Sequence, residues 1–247
     1  MRTLRLDVAY DGTEFHGWQL QPKLRTVQGV LEDALSEVLK ERVRLTGAGR
    51  TDAGCHARGQ VASFSSSTRL PARALAPLLR RHLPVDLHVL AARDVGPAFD
   101  ARRSAGARRY AYRLLERRDV LLQRIAWHPG RALNPVSLET AVRPLEGEHD
   151  CAAFAASGGS TTTTLCHVHH ASWRRWEGGL QLDLVADHFL YHMVRNVVGT
   201  ALALMNRKDS AAAMRAILES RSRAQAGPTA PPEGLCLEQV FYPAEVA

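Results

Sequence analysis

The residues Gly47–Phe64, GAGRTDAGCHARGQVASF, hold a single carboxylate, Asp52, set between Arg50 and Arg58 among four glycines. A guanidinium beside a carboxylate lowers its pKa by roughly 1–3 units, so an acid in this setting stays ionised at neutral pH. An ionised acid cannot donate a proton. It can act as a nucleophile or as a base, and covalent attack on an electrophilic carbon is within its reach. The glycines let the main chain approach a substrate closely. The bland alternative is an Asx-turn, in which the carboxylate caps its own backbone. On this stretch alone both readings stand.

Other candidate chemistries are weaker. Cys166, His167, His169 and His170 in LCHVHH lack the paired ligand spacing of a zinc site. On an alternating strand His167 and His169 point one way and His170 the other, so no metal is expected there. The acids of EGEHD (146–150) could hold Mg²⁺ for phosphodiester cleavage, but a solvated turn after a helix is the commoner use of such a cluster. The stretch around Arg50 has no GxxxxGK[ST] phosphate loop, and no GxSxG elbow occurs.

Elements must position these residues. Leu4, Leu6, Val8 and Tyr10 alternate, which predicts a strand over Thr3–Tyr10. A glycine-punctuated loop, YDGTEFHGWQLQ, follows. Apolar residues from Val27 to Leu39 fall at helical spacing after Thr26, a plausible N-cap. Arg42–Thr46 and Gln60–Ser65 are short strand candidates on either side of the Asp52 turn. Pro71–Arg81 is a predicted helix and Asp86–Arg93 a strand. The second half repeats the order: a strand at Arg108–Leu115, a helix at Val136–Leu145, and strands at His167–Arg174 and Leu180–Ala186. A long helix at Phe189–Asn206, another at Ser210–Glu219 and a closing strand at Cys236–Tyr242 complete it. This order implies an α+β fold of two ferredoxin-like βαββαβ halves. The expected seam lies near 100–107, giving an N-terminal domain of residues 1–105 with Asp52 and a C-terminal domain of 106–247.

The 247-residue chain carries a net charge of +7, with a pI near 9.7. That balance favours a polyanionic partner, and no basic amphipathic helix points to a membrane. The densest basic segment, ARRSAGARRYAYRLLERR (101–118), interleaves seven arginines with Tyr110 and Tyr112. Basic groups among aromatics suit a phosphate backbone and stackable bases. The N-terminus MRTLRLDVAY has no apolar run of signal-peptide length, and no eighteen-residue apolar stretch occurs. Four scattered cysteines without a CxxC pair fit free thiols in a reducing, cytoplasmic setting.

GAGRTDAGCHARGQVASF resembles the signature of the TruA family of tRNA pseudouridine synthases. Five further segments match that family in order: AYDGTEFHGWQLQ (9–21), FDARRSAGARRYAYRL (99–114), EGEHDCAAF (146–154), DHFLYHMVRNVVGT (187–200) and APPEGLCL (230–237). The departures are Cys55 for valine, Cys151 for an aromatic residue, a threonine-rich 155–164 loop where basic residues are usual, and His188 at a small-residue position. The resemblance implies the pseudouridine synthase fold, with two α+β halves flanking a positively charged cleft. It also implies isomerisation of uridine at positions 38, 39 and 40 of the tRNA anticodon stem-loop. Asp52 is then the catalytic residue, starting glycosidic cleavage by attack at C1′, attack at C6 or proton removal giving a glycal. Tyr110 would stack on the flipped uracil, Arg195 would pair with Asp52, and Arg50 would replace the flipped nucleotide or contact its phosphate. No cofactor or metal is required, tRNA and not DNA is the partner, and a homodimer is implied. Arg195 lies about 200° round its helix from Met193, off the apolar stripe. A non-catalytic structured-RNA-binding protein is the alternative, since it would need the charge but not Asp52.

Overall fold

A computed structural model of the chain describes residues 1–159 and 163–244, with nine strands and five α-helices among them. The class is α+β, as expected. Residues 160–162 of the threonine-rich loop lie outside the described residues. The chain divides into two compact units: Met1–Gly106 together with the closing segment from Leu237, and Ala107–Cys236.

In the first unit, β1 (Arg2–Tyr10) pairs antiparallel with both β3 (His56–Ser66) and β4 (Leu87–Val95), so that Leu6 faces Ala62 on one side and Ala92 on the other. The closing strand β9 (Leu235–Phe241) takes the place beside β3. Leu4, Leu6 and Val8 are completely buried, as the period-2 alternation requires. Helix α1 (Val27–Leu39) starts where Thr26 caps it, the hydroxyl accepting from Gly29 N–H at 3.3 Å. Helix α2 (Ala72–Leu79) follows Pro71.

The strand expected over Arg42–Thr46 shrinks to β2, Thr46–Gly47, which pairs with β3. Side chains of α1 satisfy the backbone before it. Val43 N–H donates to Ser36 Oγ at 3.1 Å, and Leu45 N–H donates to Glu32 Oε1 at 2.9 Å. Groups already satisfied in this way have no need of a ladder partner.

The second unit carries the antiparallel order β5-β8-β7-β6, formed by Ala107–Leu115, Gly179–Ala186, Leu165–Trp176 and Gly147–Asp150. EGEHD is therefore mostly a strand, not a solvated turn; Gly147 faces Val168 and His149 faces Cys166. Helices α3 (Pro135–Val142), α4 (Met193–Leu204) and α5 (Ser210–Ser220) pack together, α3 on β7 and α4 on β5. Two corrections matter for the site. The helix expected from Phe189 begins at Met193, because His192 takes the left-handed conformation (φ 60°) and ends a turn before it. In β7 a register shift between Val168 and His170 breaks the alternation. His167, His169 and His170 are consequently all exposed, and the first two rings stack at 4.4 Å.

Candidate active site

Asp52 lies in the loop that joins β2 to β3. Its carbonyl accepts Cys55 N–H at 3.1 Å, and Gly54, in the third position of that turn, has φ 78°. A positive φ at this point is what makes glycine the natural residue of an RTDAG turn. The turn is thus closed by a main-chain bond of its own.

The loop is clamped on both sides by the preceding glycine-rich segment. Trp18 N–H donates to Thr51 O at 3.0 Å, and Gly54 N–H donates to Phe15 O at 3.2 Å. The buried Thr51 hydroxyl lies 2.8 Å from Tyr10 Oη. Gln60 Nε2 holds Gly49 O at 2.8 Å, just before the exposed Arg50. Gly12 N–H donates to His56 Nδ1 at 3.1 Å. The packing leaves no room for side chains at Gly12 and Gly47. A Cβ on Gly12 would sit 1.8 Å from Cys55 O, and one on Gly47 would sit 2.5 Å from the Trp18 ring. Asp52 itself is half-buried. AYDGTEFHGWQLQ is therefore the frame for the turn, a role that its residue types alone do not declare.

Tyr110 and Arg195 belong to the second unit. Tyr110 is buried on β5 opposite Leu184, and Phe189 packs edge-on against its ring, with centroids 4.8 Å apart at 76°. Edge-to-face packing fixes the ring plane. The neighbouring Tyr112 is fully buried and donates to Pro231 O at 2.7 Å.

Arg195 is the half-exposed residue in a run of α4 that is otherwise buried from Met193 to Leu202. Its Nε donates to Ala230 O at 2.7 Å, and Ala230 N–H donates back to its carbonyl at 3.1 Å. Asn196 completes the frame. Its Nδ2 donates to Phe154 O at 2.7 Å, while Oδ1 accepts from Thr229 Oγ1 at 2.6 Å and Arg223 Nη2 at 3.1 Å. Gly199 has Pro228 O where a Cβ would lie, at 1.6 Å. The closing segment before β9 and the HMVRN helix therefore lock each other. The glycine and asparagine of that helix were the available signals for this, but their partners lie about thirty residues away in sequence.

The acids of EGEHD have structural work. Asp150 accepts Ala152 N–H at 3.1 Å and meets Arg221 Nε at 3.1 Å. A hydrogen bond from Thr164, helped by Ala152 and Arg221, holds its carboxyl below the usual range. Among the described residues, no group of three or more His, Cys, Asp or Glu side chains is arranged to hold a metal ion, and no helix is long and apolar enough to cross a membrane.

Both frames fall inside a recognisable protein class. The family profile described as tRNA pseudouridine synthase matches residues 8–102 and 141–243, and the chain belongs to that family, which makes it an isomerase. At the level of particular proteins it is 42% identical over 246 residues to tRNA pseudouridine synthase A of Moorella thermoacetica, covering 98% of this chain and 100% of that one. It is 40% identical over 244 residues to tRNA pseudouridine synthase A of Geobacter sulfurreducens, with the same coverage. Asp52 and Arg195 fall within the profile match; Tyr110 falls in the gap between its two parts.

Proposed function

We propose that this enzyme converts uridine to pseudouridine at positions 38, 39 and 40 of the tRNA anticodon stem-loop, with no cofactor. The C1′–N1 bond breaks, the base turns, a C1′–C5 bond forms, and the C5 proton is lost as N1 gains one. Asp52 starts the cleavage as nucleophile or base, with Arg195 as the cation that keeps it ionised. Tyr110 stacks on the extruded uracil, and Arg50 fills the vacated place or contacts its phosphate. Extrusion costs a few kcal/mol, offset by such stacking and charge contacts. Targets that adjoin one another favour recognition of tRNA shape and backbone over base sequence. A cytoplasmic homodimer acting on tRNA, not DNA, completes the proposal.

The observation that carries this reading is the RTDAG turn. Its single acid is held by main-chain bonds on both sides, within the family's motif. The test is release of tritium from tRNA labelled at uridine C5, followed by mapping of pseudouridine in the product. Release with pseudouridine at 38–40 is the expected result. Tight tRNA binding without release would favour the non-catalytic alternative, and modification elsewhere would move the target.

Two further outcomes follow from the same reading. Tyr110→Phe keeps the ring that packs on Phe189, so tRNA binding should be unchanged. Single-turnover rates should fall by about 10²–10⁴ if the hydroxyl shuttles a proton; an unchanged rate removes it from that role. Binding should also weaken steeply with salt, since each phosphate contact adds roughly 0.7–0.9 to the slope of log K against log salt. Arg102 and Arg103 are exposed. Replacing both with alanine should lower the slope by about 1–2, whereas an unaltered slope would place the electrostatic footprint elsewhere.

A further inference from the structure

We propose that Cys151 and Cys166 form a peroxide-responsive thiol pair that closes to a disulfide, with His188 as its base. All four cysteines are buried and outside any disulfide, and a buried thiol alone behaves as a small apolar group. This pair differs because of what stands behind it. Cys166 sits inward on β7, and Cys151 opens the 3-10 turn after β6, its N–H donating to Thr164 O at 2.8 Å. The β6–β7 ladder sets His149 opposite Cys166, and the Cys151 N–H bond to Thr164 O continues it, so the two buried thiols are close neighbours and each acts on the ionisation of the other. Cys166 Sγ also lies 3.5 Å from His188 Nε2, and His188 Nδ1 lies 3.0 Å from Asp187 Oδ1.

The direction of the hydrogen bonds follows from the acid. A carboxylate only accepts, so His188 Nδ1 carries the hydrogen and Nε2 presents its lone pair to the Cys166 thiol. Asp187 Oδ1 is fixed in turn by His167 N–H at 3.0 Å and His188 N–H at 2.7 Å. Cys166 can thus pass its proton to His188 while taking that of Cys151. The resulting S–H of Cys166 holds Cys151 below the usual thiol range. The same bond, with burial, pushes Cys166 up. The His188 side chain is 27% exposed, so a proton taken from the two buried thiols has an exit to solvent.

The chemistry balances with hydrogen peroxide as the oxidant. The Cys151 thiolate attacks one peroxide oxygen: an S–O bond forms, the O–O bond breaks, and the departing hydroxide takes the proton from His188 to leave as water. Cys166 then gives its proton to His188 and attacks the Cys151 sulfur. An S–S bond forms, and hydroxide leaves with that proton as a second water. Two thiols are oxidised by two electrons and one peroxide becomes two waters. The pair is joined through the chain to the packing around Tyr110 and to the Asn196 frame of the second unit. His188 precedes Phe189, which packs on Tyr110, and the turn begun by Cys151 ends at Phe154, whose carbonyl Asn196 holds.

The test exposes the native full-length protein to dilute hydrogen peroxide, alkylates remaining thiols after denaturation and maps the peptides. The expected product is a Cys151–Cys166 linked peptide, reopened by dithiothreitol, with Cys55 and Cys236 still alkylated. His188→Gln should slow closure at least about tenfold at unchanged circular dichroism, as loss of a positioned base does. Cys166→Ser should strand Cys151 as a sulfenic acid that dimedone captures. Alkylation of both cysteines after peroxide, or equal closure rates with Gln at 188, would overturn the proposal.

Discussion

Asp52→Asn should lose pseudouridylation by roughly 10³–10⁶-fold, the range typical when a nucleophile or its base is removed. Asparagine keeps the shape of aspartate and removes only the charge and basicity. The scaffold should not notice the change, because the turn is tied through atoms the substitution leaves alone. These are the Asp52 carbonyl to Cys55 N–H, Thr51 O to Trp18 N–H, and Phe15 O to Gly54 N–H. Thermal unfolding should therefore stay close to that of the parent protein. Affinity for tRNA should be equal or slightly higher, since one negative charge leaves a protein of net charge +7 that meets a polyanion. The measurement is single-turnover tritium release beside a binding titration at the same salt. Turnover within about tenfold of the parent would assign the chemistry to another group. A parallel loss of binding and folding would instead make Asp52 a structural capping residue.

How far the molecule was legible before its structure depends on the range of the forces involved. Local patterns came through. The alternation of Leu4, Leu6 and Val8 produced β1, and Thr26 caps α1 as its hydroxyl and position suggest. Arg195, placed off the apolar stripe by helical geometry, is half-exposed on an otherwise buried stretch of α4. What failed was set by side-chain-to-backbone bonds and local backbone turns that periodicity does not carry. Arg42–Leu45 looks like a strand, but Ser36 and Glu32 reach from α1 and take its amide hydrogens. His192 adopts φ 60°, which no periodicity reports, and it shortens α4. The bulge in β7 turns His170 outward, a displacement that side-chain alternation alone cannot register. At the candidate site the acid was visible from its neighbours' residue types. The frame was not, because it consists of main-chain atoms meeting across forty residues, as Gly12 meets Cys55.

That frame makes Gly12→Ala the second large effect. Gly12 has no positive φ to relieve, so the question is one of space alone. A methyl group there would stand 1.8 Å from Cys55 O and 2.5 Å from Cys55 C, both backbone atoms. Neither can swing aside as a flexible side chain would. One segment must retreat, and whichever moves, the Gly12 N–H bond to His56 and the Cys55 N–H bond to Asp52 O are the first to stretch. Overpacking of this kind costs typically about 1–3 kcal/mol, so the chain should still fold but melt several degrees lower. Turnover should suffer more than stability, because a misplacement of about 1 Å at a reacting group can cost on the order of 10²-fold. Gly96→Ala is the comparison, since nothing lies within 4 Å of a Cβ at that position. Parent-like melting and turnover are expected for it. A Gly12→Ala protein that folds and turns over tRNA like the parent would mean that Asp52 tolerates displacement. The turn would then be an incidental carrier of the acid, not the device that aims it.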